Sequence, residues 1–224
     1  MAGERGGITT VKVKICGFTR PGDVKLACDL GVDMVGTILV SGSPRYVPVE
    51  KAREILNAAG GGVARVAVLM PKGPEDVEEI ARKLKPDYLQ LHLTFPPDEL
   101  RELKGRLGAK LIGVAPVPRK VERPREIVDR AIEVAKVADF ILIDTKGPNG
   151  GGTGLTHEWS LSTEIRDAVD KPVFLAGGLN PSNIGRAIKM VRPYGVDVAT
   201  GVESSPGKKD AKLMREFIDA ARSG

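Results

Sequence analysis

From one end of the chain to the other, short apolar and β-branched runs alternate with amphipathic stretches of helical period. The alternation repeats eight times in 224 residues, about 28 residues to a unit. Strict β–α alternation implies parallel strands, because each strand must be followed by a crossover long enough to return the chain to the same edge. The strands read as Val11–Cys16, Met34–Leu39, Val66–Leu69, Tyr88–Leu91, Leu111–Ala115, Phe140–Asp144, Pro172–Ala176 and Val196–Ala199. Between them, Pro21 opens a helix that Gly31 closes, and the helix after Pro48 runs to Gly60-Gly61-Gly62. Val77, Ile80, Ala81 and Leu84 line one helical face, and Pro97 opens a helix holding Leu100 and Leu103. A further helix spans Pro124 to Val137, Asn180-Pro181 supply a cap and first-turn proline for another, and Leu213, Phe217 and Ala221 share a face of the last. An open doubly wound sheet would hold the same alternation, but no G-x-G-x-x-G follows the first strand, and eight units close a barrel. The expected fold is therefore an α/β single-domain (β/α)8 TIM barrel with a parallel eight-stranded core over residues 11–224. Residues 1–10 are expected to be a flexible amino-terminal tail.

Composition narrows the class of function. Hydrophobic residues at 42% and charged residues at 28% suit one buried core under a solvated surface. Two cysteines are too few for a disulfide scaffold, and no apolar run reaches the ~20 residues of a membrane span. The start, Met1-Ala2-Gly3-Glu4-Arg5-Gly6-Gly7, lacks the apolar stretch of a secretory signal, so a cytoplasmic protein without a membrane partner is expected. The net charge of +5 suits nucleic acid or an anionic small substrate. Its basic residues are interleaved with acidic ones, as in Glu78-Glu79-Ile80-Ala81-Arg82-Lys83, and aromatic residues make up only 4%, which argues against a base-stacking surface. No nucleic-acid partner is expected.

In such a barrel the chemistry gathers at the carboxyl ends of the strands. The first strand delivers Cys16-Gly17, and the second leads into Ser41-Gly42-Ser43-Pro44-Arg45-Tyr46. The fourth ends at His92, the sixth at Asp144-Thr145, the seventh at Gly177-Gly178-Leu179-Asn180 and the eighth at Thr200-Gly201-Val202-Glu203. Glycines in the last two turns let backbone N–H groups approach an anion, and a helix start behind them adds its dipole. One such turn is ordinary tight-turn chemistry; two, at these strands, point to phosphate. The Gly-rich run Gly147 to Gly154 is expected to be a mobile loop over the site. Cys16 and Asp144 form a candidate base and acid. Each alone has a plainer reading, the thiol as a small packed hydrophobe and the carboxylate as a loop cap. Cys28, mid-helix beside Ala27, is expected only to pack. Cys28, His92 and His157 lack metal-ligand spacing, so no metal is expected, and no G-x-S-x-G elbow supports a Ser-His-Asp triad.

Read together, the motifs are familiar. Lys14-Ile15-Cys16-Gly17-Phe18-Thr19-Arg20, Ser43-Pro44-Arg45-Tyr46-Val47, Leu89-Gln90-Leu91-His92, Leu142-Ile143-Asp144-Thr145 with Gly151-Gly152-Thr153-Gly154 and Trp159, Leu175-Ala176-Gly177-Gly178-Leu179-Asn180, Val196 to Glu203, and Pro206-Gly207-Lys208-Lys209-Asp210 follow in order. Together they resemble the phosphoribosylanthranilate isomerase family of tryptophan biosynthesis. The resemblance implies an Amadori rearrangement of N-(5-phosphoribosyl)anthranilate, with no cofactor. By the family's pattern Asp144 is the general acid that opens the furanose ring, and Cys16 is the general base that removes the C2 proton from the resulting Schiff base. Arg45, expected opposite the phosphate end, would bind the anthranilate carboxylate. His92 would line the substrate site and Asp197 would bond a sugar hydroxyl. Gly177, Gly178, Thr200 and Gly201 would hold the phosphate. A cysteine base requires a thiol pKa lowered from about 8.5. The implied partners are the small phosphosugar substrate and a second copy of the chain or other enzymes of the pathway. Three positions depart from the family's pattern: Leu93 follows His92 in place of Gly, Ile38 or Leu39 replaces an aromatic, and Ala199 replaces Ser.

Two alternatives remain beside this reading. One is another phosphosugar barrel, such as the histidine-pathway Amadori isomerase, which would carry Asp where Cys16 stands. The other is a non-catalytic module that binds a phosphorylated ligand.

Overall fold

Period-two alternation sorts each strand's side chains between two apolar layers. In β1 (Lys12–Cys16), Val13 and Ile15 pack outward against the helices while Cys16 points into the barrel lumen. The same parity runs through β2 (Met34–Ile38), β3 (Ala64–Leu69), β4 (Tyr88–Leu91), β5 (Lys110–Val117), β6 (Phe140–Thr145), β7 (Val173–Leu175) and β8 (Gly195–Val198). Leu142 and Phe174 fill the lumen, whereas Ile141, Ile143, Val173, Leu175, Val196 and Val198 face the helical layer. The computed structural model describes residues 10–145 and 156–223. The eight barrel strands are all parallel and close in the order β1 to β8, with β8 pairing back onto β1. The expected α/β barrel is thus the observed fold. The tail expectation falls almost wholly on residues outside those described, and the Gly147 to Gly154 loop lies outside them entirely.

The helices follow their sequence signals with three differences. Pro21, Pro74 and Pro124 open α1 (Pro21–Asp29), α3 (Pro74–Leu84) and α4 (Pro124–Ala135); α2 spans Val49–Asn57, α5 Trp159–Ala168, α6 Ile184–Val191 and α7 Ala211–Ser223. The helix expected from Pro97 is instead two 3-10 turns, Pro97–Leu100 and Lys104–Arg106. Pro96-Pro97 on one side and Gly105 and Gly108 on the other leave a run too short to repay helix nucleation. Its apolar residues are still spent on the core, since Leu100, Leu103 and Leu107 are all buried. Helix α6 starts at Ile184 rather than at Asn180-Pro181. The Asn180 carboxamide oxygen accepts from the N–H of Ser182 at 2.9 Å, and Asn183 Oδ1 takes the N–H of Asn180 at 2.9 Å, which makes a local side-chain turn the stable alternative. After β8 the chain forms a 3-10 turn (Thr200–Val202) and an unexpected antiparallel hairpin, β9 (Glu203–Ser205) with β10 (Lys208–Lys209), before α7.

The amino end of the barrel is closed by aromatic packing. Tyr88, Phe140, Phe174 and Tyr194 meet with ring centroids 5.5 to 6.0 Å apart, mostly tilted or edge-on. Chemistry is thereby left to the opposite mouth.

Candidate active site

The lumen parity that buries Cys16 brings other polar side chains to the same mouth. Asp144 lies next to the end of β6 with Leu142's parity, His92 follows just after β4 with Gln90's parity, and Asp197 sits between the outward-facing Val196 and Val198. These groups share a cavity of about 260 Å³ with Arg45, Gly177, Gly178, Thr200 and Gly201. All nine residues singled out from the sequence therefore line one space.

The electrostatics divide two carboxylates between two tasks. Asp197 is the strand partner of Lys14 in the β1–β8 register, and the Lys14 ammonium donates to its Oδ1 at 2.9 Å. Lys14 is fully buried, and although burial alone would lower its pKa, the charge of Asp197 and the neighbouring Cys16 hold it above the ordinary lysine range. Asp144 has no such ion pair among the described residues; burial, reinforced by the charge of Asp197, raises its pKa to about 7. A carboxyl poised there exchanges a proton near neutrality, as a general acid must. His92 is pushed down to about 4 by burial and by Lys14, so it faces the cavity as a neutral imidazole. His157 is also neutral, at about 4 through burial, and bridges Thr145 Oγ1 (2.9 Å) and Ser162 Oγ (2.6 Å), tying the end of β6 to α5.

Cys16 departs from the sequence expectation. Burial pushes its thiol above the ordinary range, against the pull of Lys14 and Lys209, rather than lowering it. The lumen removes more water from the sulfur than its two cationic neighbours compensate.

Arg45 also differs in place. Its guanidinium grips Glu203, Nε to Oε1 at 2.9 Å and Nη2 to Oε2 at 2.7 Å, and Nη2 donates to Thr200 Oγ1 at 2.9 Å. It therefore borders the β8 turn rather than standing opposite it. Closure explains this, because β8 and β2 both neighbour β1 and their loops meet above it. Gly17 makes the crossing feasible: its φ is +79°, and a Cβ there would lie 2.4 Å from Arg45 Cδ.

The two glycine turns are present and touch. Gly177 and Gly178 have φ of +86° and +66°. A Cβ on Gly201 would lie 2.0 Å from the Leu179 carbonyl oxygen, so the β8 turn is seated directly on the β7 turn. The helix start expected behind them is displaced to Ile184, so at these turns only their own backbone N–H groups are left to meet an anion. Gly201→Ala should consequently separate the turns, raising KM roughly tenfold or more and lowering Tm together, because the intruding methyl meets backbone that has no rotamer to move. Unmutated protein should be inhibited competitively by inorganic phosphate. An alanine variant with unchanged KM would remove these turns from the site.

Four participants escaped sequence reasoning. Lys14 stands in the first-strand motif with no role assigned from the sequence, yet it shares the parity of Cys16, and in a barrel covered by helices that parity means the lumen. Gln90 lines the cavity with a buried Oε1 that has no partner among the described residues. Glu203, read at the end of the eighth strand, and Lys209, in the motif after it, were given no role from the sequence, since their meeting depends on the hairpin.

Comparison with known proteins gives the same direction. Residues 13–220 match the family described as N-(5'phosphoribosyl)anthranilate (PRA) isomerase. The chain is 43% identical over 214 residues to an N-(5'-phosphoribosyl)anthranilate isomerase of Methanocella arvoryzae, covering 94% of this chain and 98% of the relative. It is similar to the crystal structure of phosphoribosyl anthranilate isomerase from Thermotoga maritima, at 36% identity and a TM-score of 0.84 over 96% of this chain and 100% of that one. A phosphoribosyl anthranilate isomerase in complex with reduced 1-(o-carboxyphenylamino)-1-deoxyribulose 5-phosphate is 33% identical, with a TM-score of 0.80 over 96% and 100%.

Proposed function

The chain belongs to the N-(5'-phosphoribosyl)anthranilate isomerase family, and from that premise we propose how its own residues divide the work. The reaction is the aldose–ketose isomerisation of tryptophan biosynthesis, from N-(5-phosphoribosyl)anthranilate to 1-(2-carboxyphenylamino)-1-deoxyribulose 5-phosphate. The observation that carries the assignment is one cavity holding a carboxyl poised at about 7 and a thiol flanked by a buried ammonium.

Asp144 gives its proton to the furanose ring oxygen. The C1–O bond breaks and the anilino nitrogen's lone pair forms a cationic C1=N bond. The thiolate of Cys16 then takes the C2 proton, and the electrons of that C–H bond form C1=C2 as the iminium is neutralised. The resulting enolamine tautomerises to the ketone. A thiol held up by burial becomes a better proton acceptor once ionised, and the iminium is a new cation that favours ionisation at the step requiring it. Asp197, fixed by Lys14, accepts from a sugar hydroxyl, with neutral His92 beside it. The turns at Gly177-Gly178 and Thr200-Gly201 take the phosphate.

Arg45 presents the remaining edge of its fork to the anthranilate carboxylate. Arg45→Lys keeps the charge and loses the planar fork that spans Glu203 and Thr200, so KM should rise roughly tenfold with a smaller change in kcat. Steady-state kinetics with both parameters unchanged would take Arg45 out of the site.

Among the described residues no helix is long and apolar enough to cross a membrane, and the cytoplasm is the proposed location. Self-association is proposed through the exposed Tyr46 and Met70, which border one shallow depression with Leu39 and Val47.

A further inference from the structure

The hairpin after β8 and the loop after β2 bring three charges together almost out of reach of water. Glu203 and Lys209 are cross-strand partners, and the Lys209 ammonium lies 2.8 Å from Glu203 Oε1 while Arg45 holds both carboxylate oxygens. The side chains of Arg45, Glu203 and Lys209 are 4%, 3% and 0% exposed. Burying ions this deeply is costly unless each is matched, and here two cations share one carboxylate.

Lys209 also reaches the base. Its ammonium donates to the carbonyl oxygen of Cys16 at 2.5 Å and to that of Ala199 at 3.1 Å. The hairpin is seated on the segment after β1 by two further bonds, Thr19 Oγ1 to the Gly207 carbonyl at 2.6 Å and the N–H of Lys209 to Asp23 Oδ2 at 3.1 Å. The chain of contacts thus runs from Arg45 through Glu203 and Lys209 to the backbone that carries the thiol.

We propose that Glu203 and Lys209 are positioning residues that lock the carboxylate anchor and the base into one rigid unit. Glu203 sets the orientation of the Arg45 fork, and Lys209 sets the height of Cys16 in the cavity mouth. The triad carries a net charge of +1, which the substrate's carboxylate completes, so the unit also favours anilines bearing an ortho carboxylate over uncharged ones. The inference rests on the reading of Arg45 given above.

The test is a set of variants of the full chain assayed with phosphoribosylanthranilate, with Tm measured alongside. Glu203→Gln keeps the shape and removes the charge, and should raise KM roughly tenfold or more while changing kcat less. Lys209→Met should instead lower kcat roughly tenfold or more, with a smaller effect on KM. Glu203→Asp, which keeps the charge one methylene short, should recover part of the lost affinity. It also preserves the KM readout if Glu203→Gln fails to fold. Because Glu203 acts through Arg45, Arg45→Ala with Glu203→Gln should raise KM no further than Arg45→Ala alone. Additive effects on KM would overturn the proposal, as would Glu203→Gln and Lys209→Met variants with lowered Tm and unchanged KM and kcat. If Arg45→Ala itself left KM unchanged, the anchor reading would fall and this inference with it. KM raised by Arg45→Ala but not by either Glu203 variant would overturn the positioning role alone.

Discussion

Cys16→Ala should reduce kcat by roughly 10² to 10⁴, the range a positioned general base contributes, equivalent to about 2.7 to 5.5 kcal/mol of barrier. The thiol is small and lies where β1 meets the cavity, so alanine leaves the backbone register with Gly36 and the Lys14–Asp197 pair in place. Folding should survive, and KM should move little, because the sulfur's work is done after binding. Cys28→Ala is the internal control: Cys28 lies in α1, partly exposed and packed against the outer core. Near-full turnover in Cys16→Ala would refute the base assignment outright.

Asp144→Asn should cost a comparable factor and, in addition, redraw the pH profile. In the proposed mechanism the productive protein has Asp144 protonated and Cys16 ionised. Asp144 sits at about 7 through burial and the charge of Asp197, and the thiol lies above its ordinary range. Below about 7 the carboxyl is already protonated, so kcat/KM climbs with pH as thiolate accumulates. Between the two pKa values the gain in thiolate is cancelled by loss of the acid, and the profile is flat. Above the thiol's pKa only the acid changes, and the rate falls. In Asp144→Asn the bend near 7 disappears and residual activity climbs on toward the thiol's range. A bend retained at 7 in that variant would assign the titration to another group.

Strand identity and barrel closure follow from local periodicity, so Val13 and Ile15 on one face of β1 and Cys16 on the other are set by alternation alone. Strand-end position then delivered Asp144 and His92 to the mouth, whereas Asp197, inside β8, was marked only by the family resemblance. What failed depends on non-local packing. The fourth helix was lost to Pro96-Pro97 and Gly105 within a short run, although its leucines kept their buried places. The direction of the Cys16 shift depends on water excluded by many residues, which no spacing encodes. Glu203 and Lys209 come together only through a hairpin whose strands are three and two residues long, below any periodic signal. The relation of Arg45 to the β8 turn needs ring closure, because strands first and last in the chain become neighbours only then.

Lys14 links these levels. Its parity with Cys16 buries it and its register partner is Asp197, so one carboxylate is ion-paired while Asp144, pushed up by burial and by the charge of Asp197, is left to hold a proton. The same ammonium lowers the cost of a thiolate two residues along. Asp144, Cys16 and Asp197 are therefore one electrostatic system and not three independent side chains.

The most direct measurement mixes purified protein with freshly made phosphoribosylanthranilate and follows the loss of its fluorescence, the unmutated chain beside a Cys16→Ala/Asp144→Asn double variant. The unmutated chain should convert the substrate at a steady catalytic rate, while the double variant, folded to the same melting profile, should leave the fluorescence at its uncatalysed decay. Conversion by both at one rate would place the acid and base elsewhere, and decay at the uncatalysed rate with the unmutated chain would contradict the account as a whole.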